Sequence, residues 1–277
     1  MKPKVVFITG CSSGIGEALC WAFHRQGYRV IATARQAASL ESLAAAGMMT
    51  LPLDVADIEA VRQAVAAAIS AEGQIDILVN NAGFGQFGPL MDIDEVQLQK
   101  QFYTNAIAPL TVIQQVAPEM KAHHSGLIVN IGSISGLVTT PFAGTYCASK
   151  AALHSLSEAL RMELSPFGIQ VVTVQPGAIA SRFGQSAEER LKPVLKADSW
   201  YVGLAENIRE RASLSQTEAT PADEFAKQLV VQVMQPNPPA VVRLGKKSRW
   251  LPWLQQLLPN KVMAFILKRR FGLLTLK

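Results

Sequence analysis

The chain of 277 residues is 49% hydrophobic and 17% charged, with a mean hydropathy of +0.19, a balance that excludes a disordered or fibrous chain and provides for a large core. Its three cysteines, Cys11, Cys20 and Cys147, are odd in number and lack C-x-x-C spacing, which argues against a disulfide framework or a zinc site and suits a reducing compartment. The net charge of +5 is concentrated at the end: nine basic residues and no acid lie from Arg243 onward, so the rest is net acidic and has no basic stripe for nucleic acid.

Apolar, β-rich runs recur at Lys4 to Thr9, Tyr28 to Thr33, Met49 to Leu53, Ile75 to Asn80, Gly126 to Ile131, Ile169 to Gln175 and Ala240 to Leu244. Helical periodicity fills the intervals at 14–26, 37–46, 57–72, 93–120, 144–165, 199–213 and 222–235. Strict alternation of strand and helix forces right-handed crossovers, so the expected fold is α/β: a single-domain, Rossmann-like, doubly wound parallel sheet of about seven strands with a helical C-terminal extension. Residues 1–247 form its body and 248–277 the extension. No apolar run reaches the roughly 20 residues of a spanning helix, and Val5 to Ile8 is too short for a signal-peptide core. A cytoplasmic protein is expected, with at most contact to a membrane surface.

The first strand runs into Gly10-Cys11-Ser12-Ser13-Gly14-Ile15-Gly16, immediately before a helix. Glycines there permit a tight turn and close backbone approach, and the free N–H groups of the helix start suit a pyrophosphate. At the end of the second strand, Arg35 stands where an NAD-binding unit usually has an acidic residue for the ribose hydroxyls. A cation at that point suits a 2′-phosphate, with Ser12 as a further donor, so NADP(H) is the expected cofactor; the alternative is a solvated loop charge.

Tyr146 and Lys150 stand four residues apart at the start of a helix and so share a face. An ammonium near a phenol favours phenolate and lowers its pKa from near 10. Ser133, after the fifth strand, offers a hydroxyl to a carbonyl or alcohol oxygen, and Ser135 rivals it.

With these residues in order, the chain resembles the short-chain dehydrogenase/reductase family from residue 4 to about 181. TGxxxGxG stands at 9–16, NNAG at Asn80-Asn81-Ala82-Gly83, YxxxK at 146–150 and the PG segment at Pro176-Gly177-Ala178-Ile179. The resemblance implies cofactor contacts from Asn81, Ala82, Gly83, Pro176, Gly177 and Ile179, an adenine contact from Asp54 and Val55, and a proton relay through water at Asn105. Ser181 replaces the usual Thr near the nicotinamide and keeps its hydroxyl. The local pattern further resembles the NADP-dependent branch that includes steroid and retinol dehydrogenases, which implies an apolar aldehyde or ketone, homodimers or homotetramers, and direct hydride transfer. In that mechanism Tyr146 exchanges the proton, Ser133 orients the oxygen, and Lys150 tunes Tyr146 and holds ribose hydroxyls. The alternatives are a 3-oxoacyl thioester reductase and a silent NADPH-binding scaffold.

Phe84, Phe87, Leu137, Val138 and Phe142 follow strands four and five, where α/β folds bind ligands, and are expected to line an apolar substrate pocket with Ser133. His123, His124 and His154 are read as surface or packing residues. Ile107, Leu110, Val112 and Ile113 exceed one buried helical stripe, a second ground for expecting an oligomer. The polar, helical region 182–218 resembles the family's variable substrate loop. In the tail, two short helices broken at Pro252 and Pro259 are expected to form a lid over the pocket, with attachment to an anionic lipid surface and ordinary packing on the body or a partner subunit as the competing readings.

Overall fold

The structure, a computed structural model, describes residues 3–191 and 194–276. Seven parallel strands are ordered β3-β2-β1-β4-β5-β6-β7: β1 (Val5–Ile8), β2 (Arg29–Ala34), β3 (Met49–Pro52), β4 (Ile77–Asn80), β5 (Gly126–Ile131), β6 (Ile169–Val174) and β7 (Val241–Val242). The order reverses at β1, which pairs with both β2 and β4. Ligands of open α/β sheets settle at the carboxyl ends of strands around such a reversal.

Both faces of the sheet are covered. Helices α1 (Gly14–Arg25) and α9 (Ala222–Val233) pack on one face through Leu19, Phe23, Phe225 and Leu229. The other face carries α3 (Ile58–Glu72), α5 (Ala108–Ala122) and α6 (Gly144–Leu164), with Val61, Val65, Val112, Val116 and Leu160 against it. This double burial explains why β1 and β4 are apolar at nearly every position. Short α2 (Glu41–Ala45) links β2 to β3. Asp57 caps α3 by accepting from the N–H groups of Glu59 and Ala60.

The helix expected over 93–120 is two helices. Here α4 (Glu95–Phe102) meets α5 through a π-helical turn at Tyr103–Ile107, a feature frequent at functional sites. Val112 and Ile113, expected on an oligomer face, are core residues instead, because α5 turns them onto the sheet; Ile107 stays 47% exposed. Region 182–218 holds α7 (Phe183–Leu191) and α8 (Ala205–Ser213), the latter starting six residues later than expected.

The tail folds as α10 (Trp250–Leu257) and α11 (Asn260–Arg270). Pro252 does not break α10: it lies in the first turn, where its missing N–H has no intrahelical acceptor to lose. Phe271, 2% exposed, meets Phe142 edge-on at 6.4 Å between ring centroids, and Arg270 pairs with Glu210 of α8. The tail is therefore anchored on the substrate side of the molecule. Its outer face leaves Trp250, Trp253, Phe265 and Ile266 exposed. Phe271→Ala is expected to cost about 3–5 kcal/mol as a core truncation, whereas Phe265→Ala should change stability by less than about 0.5 kcal/mol. Urea unfolding of the two variants reads the difference. No helix among the described residues is long and apolar enough to cross a membrane.

Candidate active site

The loops after β1, β4, β5 and β6 converge on a cavity of about 460 Å³ at the reversal of strand order. Its wall includes Gly10, Ser12, Ser13, Gly14, Ile15, Arg35, Asp54 and Val55, and beyond them Asn81 to Phe84, Ser133, Tyr146 and Lys150, closed by Pro176, Gly177, Ile179 and Ser181. Gly16 lies just behind, buried under the first turn.

The first turn needs its glycines for space as well as conformation. Gly10 holds φ +74°, and a Cβ there would come within 2.7 Å of the Ala82 Cα; Gly14 holds φ +62°, and its Cβ would come within 2.8 Å of the Ser181 Cβ. Ser13, extended at the N-cap of α1, makes no side-chain cap, so the first N–H groups of the helix stay available to an anion. The loop after β4 is tied down by hydrogen bonds. Asn81 and Ala82 donate backbone N–H groups to Thr9 Oγ1 at 3.0 and 3.1 Å, and Asn81 Nδ2 donates to the carbonyls of Thr9 and Gly10, both at 3.0 Å. The side chain of Asn81 thus joins the two loops that form the cradle.

Four arginines reach this cavity: Arg35, Arg182, Arg190 and Arg211. None forms an ion pair with a carboxylate among the described residues. Arg182 donates to the Ser12 carbonyl at 2.6 Å, beside the first turn. Arg190 lies over the Phe84 ring at 4.2 Å, and burial together with the like charge of Arg35 pushes its pKa down. Two cations held near each other, with Glu189 as the opposing charge on Arg190, make this a site of positive potential.

At the other end, Tyr146 is 8% exposed between Phe87 and Phe183, whose ring centroids lie 5.7 and 5.4 Å away. Burial pushes its pKa up to about 12, against the opposing pull of a hydrogen bond with Ser133 and the charge of Arg211. Both serines line the cavity; the Ser133 hydroxyl is the one that meets Tyr146, and it also accepts from the N–H of Ser135 at 3.1 Å. Lys150 lies where the spacing expected it, lining the same cavity as Tyr146. Its Nζ donates to the Ile131 carbonyl at 2.8 Å, and burial lowers its pKa to about 8.

The π-helical turn places Asn105, fully buried, against the loop after β4. Its Oδ1 accepts from Phe84 N–H at 3.1 Å, and its Nδ2 donates to the Phe84 carbonyl at 2.9 Å and to Ser149 Oγ at 3.1 Å. Asn105 and Lys150 both approach Gly83. His154, read as a packing residue, accepts from the Ser133 N–H through Nε2 at 3.4 Å, and its pKa falls to about 4, chiefly through burial, with repulsion from Lys150 and Arg243. It is a neutral support for the Ser133 turn.

The expected apolar wall needs correction at two places. Phe84, Phe87 and Val138 line the cavity, but Leu137 does not; it is 38% exposed, because the short 3₁₀ turn of Ile134–Gly136 carries it outward. Phe142, at φ +63°, points behind Tyr146 into a satellite core with Tyr201 and Phe271. The residues that replace them on the wall, Phe183, Arg211, Leu214 and Leu251, come from the variable region and the tail. No cluster of three or more metal-ligating side chains exists among the described residues.

Comparison with known proteins agrees with this geometry. The family profile described as short chain dehydrogenase matches residues 4–192. "Short-chain dehydrogenase ptmH" of Penicillium ochrochloron is 36% identical over 277 residues, covering 99% of this chain and 100% of that protein. The crystal structure of a short-chain dehydrogenase from Streptomyces avermitilis superposes with a TM-score of 0.83 at 30% identity, covering 96% of each chain. A metagenomic short-chain oxidoreductase solved in complex with NADP superposes with a TM-score of 0.67 at 26% identity, covering 86% of this chain and 95% of that one. The chain is a member of the short-chain dehydrogenase family of oxidoreductases.

Proposed function

We propose that the protein is an NADP(H)-dependent reductase of apolar carbonyl compounds, reversible as an alcohol dehydrogenase. The observation that carries this reading is the joining of Ser133, Tyr146 and Lys150 in one cavity with an uncapped helix start and unpaired arginines. Solved members of the fold hold NAD as well as NADP, so the fold does not choose between them. The choice is argued from Arg35 and Arg190, whose mutual repulsion a 2′-phosphate would relieve. Their planar donors fit phosphate oxygens, as the first turn and the start of α1 fit a pyrophosphate.

The bound nicotinamide supplies or accepts the hydride. Tyr146, kept neutral well above neutral pH by burial, is the proton donor to the carbonyl oxygen. Ser133 donates to that same oxygen and holds it beside the phenol. Lys150 contributes a cation for ribose hydroxyls, and Asn105 fixes the loop at Phe84 and Gly83 against which this end of the cavity is built. Phe84, Phe87, Phe183, Leu214 and Leu251 exclude water from the reacting centre and accept an apolar chain.

A pH prediction follows from two groups. Lys150 carries its charge below about pH 8 and loses it above, while Tyr146 keeps its proton across that range. The kcat/KM for NADPH, which reports the free enzyme, is therefore expected to stay level through neutrality and to fall above about pH 8. A limb on the acidic side of neutrality would contradict the neutral assignment of His154. Substrate class is tested by NADPH consumption with medium-chain aldehydes, ketosteroids, retinal and 3-oxoacyl thioesters. Turnover of the thioesters alone would transfer the function to lipid synthesis, and NADPH binding without any turnover would indicate a scaffold.

A further inference from the structure

Arg211 is a buried cation with no anion. It lies on α8, is 7% exposed, and donates through Nε to Thr140 Oγ1 at 2.6 Å. Its guanidinium carbon sits 5.1 Å from the centre of the Phe87 ring. Both acids of its own helix are engaged elsewhere: Glu206 with Arg209, and Glu210 with Arg270 of the tail. The titratable groups it faces, Tyr146 and Cys147, are both pushed upward by burial and are neutral at physiological pH. A guanidinium does not shed its proton to escape such a site, and its remaining N–H groups have no acceptor among the described residues. Burying an unpaired charge is costly, and an anion held in the cavity that Arg211 lines would relieve that cost.

The cavity gives that anion a place. Arg211 lines the same space as Ser133 and Tyr146. It is set apart from the arginines near the first turn and the Phe84 loop: Arg182 rests on Ser12 and Arg190 on Phe84, whereas Arg211 rests on Thr140 and Phe87. The Phe87 ring touches both Tyr146 and Arg211, so the phenol and the cation share one aromatic side chain. The same wall carries Phe183, Leu214 and Leu251, beside Ser215 and Gln216.

We propose that Arg211 anchors a carboxylate of the substrate, so that the compound reduced in this cavity is an oxo acid whose carbonyl and carboxylate are joined by a short apolar chain. The inference rests on the carbonyl reductase reading of the site and narrows it. Carboxylate is favoured because the guanidinium fork donates to its two oxygens side by side. The bond would be charge-assisted and shielded from water, for which loss of the cation should cost about 10- to 100-fold.

The test uses oxo-carboxylates of increasing chain length, each beside its methyl ester, with the full-length enzyme and its R211Q and R211K variants. The wild type is expected to favour the matching acid over its ester by about 10- to 100-fold in kcat/KM. R211Q should bring that ratio near one, mainly through KM for the acid, and R211K should restore part of it. Calorimetric titration with a saturated carboxylate of the same length, in the presence of NADP⁺, supplies a readout without turnover: binding should weaken about 10- to 100-fold in R211Q. Preference of the wild type for the esters, or an equal loss on acid and ester with a shifted pH profile, would overturn the proposal and make Arg211 a regulator of Tyr146. Absence of turnover with every carbonyl would instead overturn the reductase reading, and the titration would still decide for or against the anion site.

Discussion

Tyr146→Phe is expected to lower kcat for carbonyl reduction by about 10²- to 10⁴-fold, the usual contribution of a positioned acid, while the dissociation constant for NADPH hardly moves. The reason lies in the environment of the ring. Phe87 and Phe183 hold it through tilted ring contacts, and Phe retains those contacts. Only the hydroxyl and its bond with Ser133 are lost. Burial that pushes the phenol to about 12 also keeps it protonated at neutral pH; Lys150, the stronger acid with a pKa of about 8, has its Nζ turned to the Ile131 carbonyl. Arg211 keeps its protons too firmly, and His154, with a pKa near 4, faces the backbone of Ser133 rather than the cavity. Single-turnover kinetics at saturating NADPH separates the chemical step from binding. Retention of more than a tenth of the wild-type rate would move the acid role elsewhere.

Arg35→Asp is expected to raise the dissociation constant for NADPH by about 100-fold and that for NADH by only a few-fold. Charged hydrogen bonds contribute about 1.5–3 kcal/mol when made, and the substitution also sets a carboxylate against the phosphate. Arg190→Ala should weaken NADPH in the same direction by a smaller factor, since its guanidinium already rests on the Phe84 ring. The two effects should not add, because both arginines would address one phosphate. Fluorescence titration of each variant with both cofactors measures the ratio. Equal losses for NADH and NADPH would show that neither residue reads the 2′-phosphate.

What could be read in the sequence follows the strength of local rules. The seven strands were legible because burial on both faces makes them continuously apolar, and the glycine turn and Tyr146 with Lys150 because their spacing is itself the chemistry. The π-helical turn at Tyr103–Ile107 was not, since an inserted residue leaves the apolar periodicity of α4 and α5 nearly intact. Nor could spacing reveal that the Lys150 Nζ meets the Ile131 carbonyl, or that Arg211, 65 positions from Tyr146 in the chain, adds its charge to the surroundings of the phenol. A trace of Arg211 was nevertheless present. Leu204, Ile208 and Ala212 repeat every four residues as a buried stripe, and Arg211 lies at its edge, where a cation is out of place unless something meets it. The apolar wall was misassigned at Leu137 and Phe142 because loop residues carry no periodicity from which direction can be read.

The most direct test of the central claim is transfer of label. With NADPH carrying deuterium at the reactive C4 position, and a carbonyl substrate identified from the panel, the product alcohol is expected to carry deuterium at the former carbonyl carbon. Mass spectrometry should find it with the wild type and find the yield reduced in proportion to kcat in Tyr146→Phe. Consumption of NADPH with unlabelled alcohol as product, for both stereoisomers of the labelled cofactor, would contradict direct hydride transfer at this site.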